Sequence, residues 1–145
     1  MKARFVTKAA LSALALAFAG TLPGVAQQTA APAVDSVKAS AVEKVFIVKM
    51  ADIVQAGLKA GALDVKAVSG VLNEAVKADV SDRVMGAMVS MAAGAFPSSA
   101  PAVASAAVRS YGSNIREGHV RNVIASAVSS QSNPYASVAP ISEAV

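Results

Sequence analysis

The sequence predicts an all-α domain, a small bundle or short stack of about five amphipathic, alanine-rich helices. Three observations point there. Apolar residues recur at three- and four-residue steps through the middle of the chain. Glycine, proline and capping residues interrupt that pattern at helix-length intervals. Hydrophobic residues make up 54% of the 145 residues and charged residues 15%, with heavy use of alanine, which favours helix but fills little core.

The chain opens on features of a removable leader. Lys2, Arg4 and Lys8 form a basic region, Ala9 to Ala19 an uncharged apolar run, and Gly20 and Pro23 end its helix. Gly24-Val25-Ala26 then places small side chains where a signal peptidase needs them, so residues 1–26 are expected to be a signal peptide cleaved after Ala26. An apolar run of 11 residues is short of the roughly 20 a bilayer helix requires. Residues 27–38 lack periodicity and are expected to form a flexible linker, 39–130 the helical domain, and 131–145 a disordered tail rich in serine with Pro134 and Pro140.

Within the domain, Phe46, Met50, Val54 and Leu58 recur at every fourth position, with Lys49, Asp52 and Lys59 on the wet stripe, until Gly61 stops the helix. Asp64 caps a second helix whose inner face is Val65, Val68, Leu72 and Val76. A third runs from about Ser81 through Val84, Met88 and Ala92 to Phe96-Pro97. Its Gly86, Ser90 and Gly94 line up at four-residue steps, a groove of small residues in which another helix should lie. The uncharged stretch from Val84 to Phe96 is 13 residues long, too short to cross a membrane, so a buried central helix is expected.

Ser98 and Ser99, with Pro101 in the first turn, open a fourth helix carrying Val103, Ala107, Val108 and Tyr111 up to Gly112. Asn114-Ile115-Arg116-Glu117 resembles a capping box ahead of Val120, Val123, Ile124 and Ala127 in a fifth. Related triplets near the helix ends, from Gly57-Leu58-Lys59 to Ala127-Val128-Ser129, recur at spacings of 18, 17, 15 and 20 residues, too irregular for a named repeat.

Charge and composition exclude several functions. Thirteen Lys and Arg face nine Asp and Glu, but removal of the leader's three basic residues brings the balance close to neutral. No cluster of Lys and Arg interleaved with aromatics is present, so nucleic acid is not an expected partner. The absence of cysteine excludes disulfides, thiolate metal sites and thiol redox chemistry. His119 is the sole histidine, which excludes paired-histidine metal sites within one chain. The acids are scattered, with Asp64, Asp79, Asp82 and Glu117 placed like helix caps, and no phosphate loop or nucleophile motif occurs. No enzyme activity and no cofactor are expected.

Two constellations remain. Met85, Met88 and Met91 offer the soft thioether sulfurs that favour Cu(I). Three-residue steps drift by about 60° each, however, so the outer two sulfurs diverge by about 120°, and core filling is the expected role. Arg109, Arg116, His119 and Arg121 surround the start of the fifth helix, where free amides could add to an anion-binding corner; a charged turn with capping and salt bridges is the expected alternative.

The sequence thus predicts a non-catalytic interaction or structural protein of the cell envelope, periplasmic or extracellular, with a protein partner or a homo-oligomeric state. One alternative is a carrier taking lipid or Cu(I) against Met50, Met85, Met88, Met91 and Phe96. Another is a peripheral membrane-surface binder through Phe46 to Leu58, although Asp52 dilutes the basic stripe such helices use.

Overall fold

Local chemistry sets the helix boundaries in the computed structural model, which describes residues 39–145; the expected leader (1–26) and linker (27–38) lie outside the described residues. The helices are α1 (Ala41–Ala60), α2 (Val65–Lys77), α3 (Asp82–Ala95), α4 (Ala100–Ser110), α5 (Glu117–Ser129) and α6 (Pro134–Glu143), with 3₁₀ turns at Pro97–Ser99 and Gly112–Asn114. The fold is all-α, a packed arrangement of six helices among the described residues.

Ser40 starts α1 with a reciprocal cap: its hydroxyl accepts the Glu43 N–H at 3.3 Å, and the Glu43 carboxylate accepts the Ser40 N–H at 2.8 Å. Gly61 ends the helix in the left-handed conformation at φ 77°, which glycine adopts without steric cost. Phe46, Ile47, Met50, Val54 and Gly57 face inward. Leu58, expected on that face, is instead 52% exposed. Four-residue steps advance about 40° around a helix, so Leu58 has rotated about 120° from Phe46, whereas Gly57 lies within about 20° of it. Gly57 is needed where it stands, because a Cβ there would come within 2.9 Å of the Phe96 ring.

Asp64 caps α2 by accepting the Ala67 N–H at 3.0 Å, and Val68, Val71, Leu72 and Ala75 are buried. Asp79 turns the chain towards α3 at φ 55°, a conformation that aspartate tolerates better than bulky residues do.

Each helix packs on the helix two places along: α1 on α3, α2 on α4, α3 on α5 and α4 on α6. The result is two rows, α1-α3-α5 and α2-α4-α6, joined through contacts between α1 and α2, α3 and α4, α4 and α5, and α5 and α6. The odd row is parallel. Glu43 accepts the Ser81 N–H and hydroxyl at the N-terminal ends of α1 and α3, and Asn122 donates to the Asp82 carbonyl at 2.7 Å near those of α3 and α5. At the other end, Gln131 donates to the Ala93 carbonyl at 3.1 Å. Helices α2, α4 and α6 begin at Val65, Ala100 and Pro134, 35 and 34 residues apart. From α2 onward successive helices start 17, 18, 17 and 17 residues apart, so the chain alternates between the two rows at a nearly constant step.

α3 is the centre of the odd row, with Val84, Met85, Gly86, Met88, Val89, Met91, Ala92 and Ala93 buried. The groove of small residues receives α5: a Cβ on Gly86 would sit 2.6 Å from the Ser126 hydroxyl, and one on Gly94 would sit 3.3 Å from Ser130 Cβ. Every buried side-chain nitrogen and oxygen among the described residues has a partner.

Where a disordered tail was expected from residue 131, the chain continues into the stack. Gln131 is buried, Asn133 caps α6 by accepting the Ala136 N–H at 3.3 Å, Pro134 occupies the first turn, and Ile141 is 1% exposed. With a single large inward residue, α6 carries no apolar periodicity to read. Asn133-Pro134 is the one start signal it offers.

Two measurements test this account. Gly86→Val drives its methyls into Ser126 and Asn122 and lowers stability by about 1–3 kcal/mol in urea unfolding. Gly70→Ala in α2, with nothing within 4 Å of the new Cβ, raises stability by about 0.5–1 kcal/mol. Glu43 supplies the second. The Ser81 hydroxyl, and then the Ser40 and Ser81 amides, hold its carboxyl down from 4.5 to about 2. A carboxyl depressed on folding contributes stability that is complete above its unfolded value and lost as pH falls through the folded one. The stack therefore weakens between about pH 4.5 and 2, and Glu43→Gln flattens that part of the stability profile.

Candidate functional site

The polar corner expected around His119 forms where α3, α4 and α5 meet. Tyr111, at the end of α4, is buried, and its ring stacks on His119 with centroids 4.1 Å apart and planes 13° from parallel. The Tyr111 hydroxyl donates to Asp82 Oδ1 at 3.2 Å, and His119 Nε2 faces the same oxygen at 3.6 Å. His119 Nδ1 accepts the Arg116 N–H at 3.2 Å, which assigns the proton of the neutral ring to Nε2.

This geometry revises the expected cap. Asn114 belongs to the 3₁₀ turn, Arg116 is the residue preceding α5, and His119 takes the backward-reaching role foreseen for Glu117. The Glu117 carboxylate instead accepts from Arg121 at 2.6 Å on the exposed side of α5. His119 is turned to Asp82, Arg121 to Glu117, and Arg109 and Arg116 lie exposed on α4 and ahead of α5. Carboxylates of the domain itself meet His119 and Arg121.

Met85, Met88 and Met91 are buried in the central core, together with Met50 from α1. There they supply bulk that alanine cannot, as flexible thioethers do in irregular gaps. No group of three or more His, Cys, Asp or Glu side chains among the described residues is placed to hold a metal ion.

Two apolar surfaces lie at opposite ends of the odd row. Between α5 and α6 runs an open groove of about 410 Å³ lined by Val120, Ile124, Ala125, Val128 and Val138, with Glu117 and Arg121 at one end. Its α5 lining lies roughly 160° around the helix from Asn122 and Ser126, which meet α3. At the far end, α1 exposes Val42, Val45 and Val48 at 56%, 51% and 58%. Reading α1 as a single stripe misses these valines. The signal for them is that Val42, Val45 and Val48 fall at three-residue steps around Phe46 and Ile47, with Glu43 and Lys44 the two charged residues among them.

No helix among the described residues is long and apolar enough to cross a membrane. Comparison of the chain with protein-family models, with curated proteins and with solved structures finds no match.

Tyr111 offers a test of the corner. Burial, followed by the charge of Asp82 and the hydrogen bond to it, pushes its hydroxyl well above the ordinary 10. A group whose folded value is raised contributes stability that is complete below its unfolded value and lost as pH climbs past it. In an alkaline titration followed by phenolate absorbance, Tyr111 should ionise only as the domain unfolds, and Tyr111→Phe should remove that absorbance step. With Tyr135 replaced by Phe so that Tyr111 is the one phenol followed, ionisation at the ordinary pH in a domain that is still folded contradicts the corner described here.

Proposed function

We propose that this chain is an exported, non-catalytic interaction protein of the cell envelope that binds through the apolar groove between α5 and α6. The groove itself carries the reading. Val120, Ile124, Ala125, Val128 and Val138 line it without a polar group at its centre, and its only charges, Glu117 and Arg121, neutralise each other at one end. A concave apolar surface with a polar end suits an amphipathic helix laid along it. The neighbouring polar corner supports the same reading, since both ring nitrogens of His119 face partners within the domain and neither is presented to a substrate.

The groove also suits an acyl chain, which supports the lipid-carrier alternative at a surface other than the methionines on which it was expected. The Cu(I) alternative still rests on Met85, Met88 and Met91, whose burial supports packing.

The test uses the chain from Gln27 onward as bait in envelope extract, beside Ala125→Glu, which puts a charge in the groove while keeping a good helix former. Specific capture by the parent and at least tenfold loss in the variant support the reading. Capture that Ala125→Glu leaves unchanged removes the groove as the binding surface, and co-purified lipid released by the variant assigns the groove to a carrier.

A further inference from the structure

The odd row ends in exposed valines on α1 and in an apolar groove beside α5. We propose that the chain assembles head to tail with further copies of itself, the outer face of α1 from one copy seating in the α5–α6 groove of the next. The proposal rests on the reading of the groove as a binding surface and names its partner, a second copy of this chain.

Continuity of the row is the first argument. α3 packs on α1 and α5 packs on α3, each parallel to the one before. On α1 the outward sector, opposite the buried one, holds Lys44, Val45, Val48, Asp52, Gln55 and Lys59. On α5 the sector turned away from α3 holds Glu117, Val120, Arg121, Ile124 and Val128. An α1 laid there as the next member of the row covers both. Terminal units of stacked helices stop growth with wholly polar outer faces, whereas here Val45 and Val48 remain exposed among the charges of α1 and an apolar groove remains beside those of α5.

Register and charge supply the second argument. Glu43 is level with Ser81, and Asp82 is level with His119 and Asn122. The starts of the three helices in the odd row thus stay within about one or two turns of one another, and an incoming α1 that starts level with α5 brings Val45 and Val48 beside Arg121 and Ile124. Lys44, exposed and without an ion-pair partner among the described residues, then arrives within one turn of Glu117, which is 85% exposed. Asp52 falls past Val128, beside exposed Ser129. Different patches meet, so the contact is heterologous and grows as an open series.

Sedimentation velocity on the purified chain from Gln27 onward, which contains every residue of the described core, tests this. The parent should form oligomers that lengthen with concentration. Val48→Glu and Ala125→Glu should each be monomeric with unchanged helical circular dichroism. Mixed in equal amounts, they should give a one-to-one dimer and nothing larger, because only one unspoiled α1 and one unspoiled groove can meet. Lys44→Glu and Glu117→Lys should each weaken association at least tenfold, and the double variant should restore it.

A parent that is monomeric at about 1 mM overturns the proposal. So does association that Val48→Glu abolishes and Ala125→Glu leaves intact, which assigns α1 to pairing with itself. Val48-dependent sedimentation with anionic vesicles in place of self-association assigns α1 to a membrane surface and equally overturns it. If the chain is monomeric but extract capture still depends on Ala125, only the second-copy partner fails; if both are lost, the groove reading fails with it.

Discussion

Alanine, glycine and serine leave so little side chain between helices that backbones must come close for anything to be buried at all. Gly86 and Gly94 set that distance between α3 and α5, where serines occupy the space a Cβ would need. Once α5 lies in the groove, Val123 and Ala127 are covered, and Asn122 and Gln131 reach the Asp82 and Ala93 carbonyls. Attraction between atoms falls steeply with separation, so a core of small residues holds only when it is tight. Larger residues then plug what remains: Met50, Met85 and Met88 at the centre, Leu72 from α2 and Ile141 from α6.

The polar groups follow from the same closeness. Parallel helices brought together at their ends place free N-terminal amides side by side, and a carboxylate there can serve two helices at once. Glu43 does so for α1 and α3. Asp82 collects the Tyr111 hydroxyl and faces His119, which itself caps α5. Residues that resemble reactive groups in a linear reading are drawn into fastening the row. Exposed valines of α1 and the apolar groove beside α5 lie at its two ends.

Much of this was legible in the residues. The Asp64 cap, the Gly61 stop, the Pro101 first turn and the inward positions Val68, Leu72, Met88, Val103 and Ala107 follow from period and capping chemistry, which act within a few residues. The small-residue groove of α3 announced that a helix would occupy it. The polar corner was visible as a cluster in sequence, but the partners its members take were not. Arg121 turns to Glu117 one helical turn away, whereas His119 turns to Asp82, which is 37 positions earlier.

What the sequence determined alone is the helical class, the capped boundaries and the identity of the central helix, because each depends on neighbours within about four positions. Only tertiary structure decided that the helices form two rows, that Leu58 yields its inward place to Gly57, that residues 134–143 form a sixth helix, and that Val45 and Val48 stay exposed while Ile124 and Val128 are only partly covered. Those outcomes depend on which helix lies against which, a choice made by the depth of grooves and the fit of small residues across 35 or more positions. An apolar periodicity states that a face will be buried; it carries no information on the element that covers it, or on whether that element belongs to the same chain.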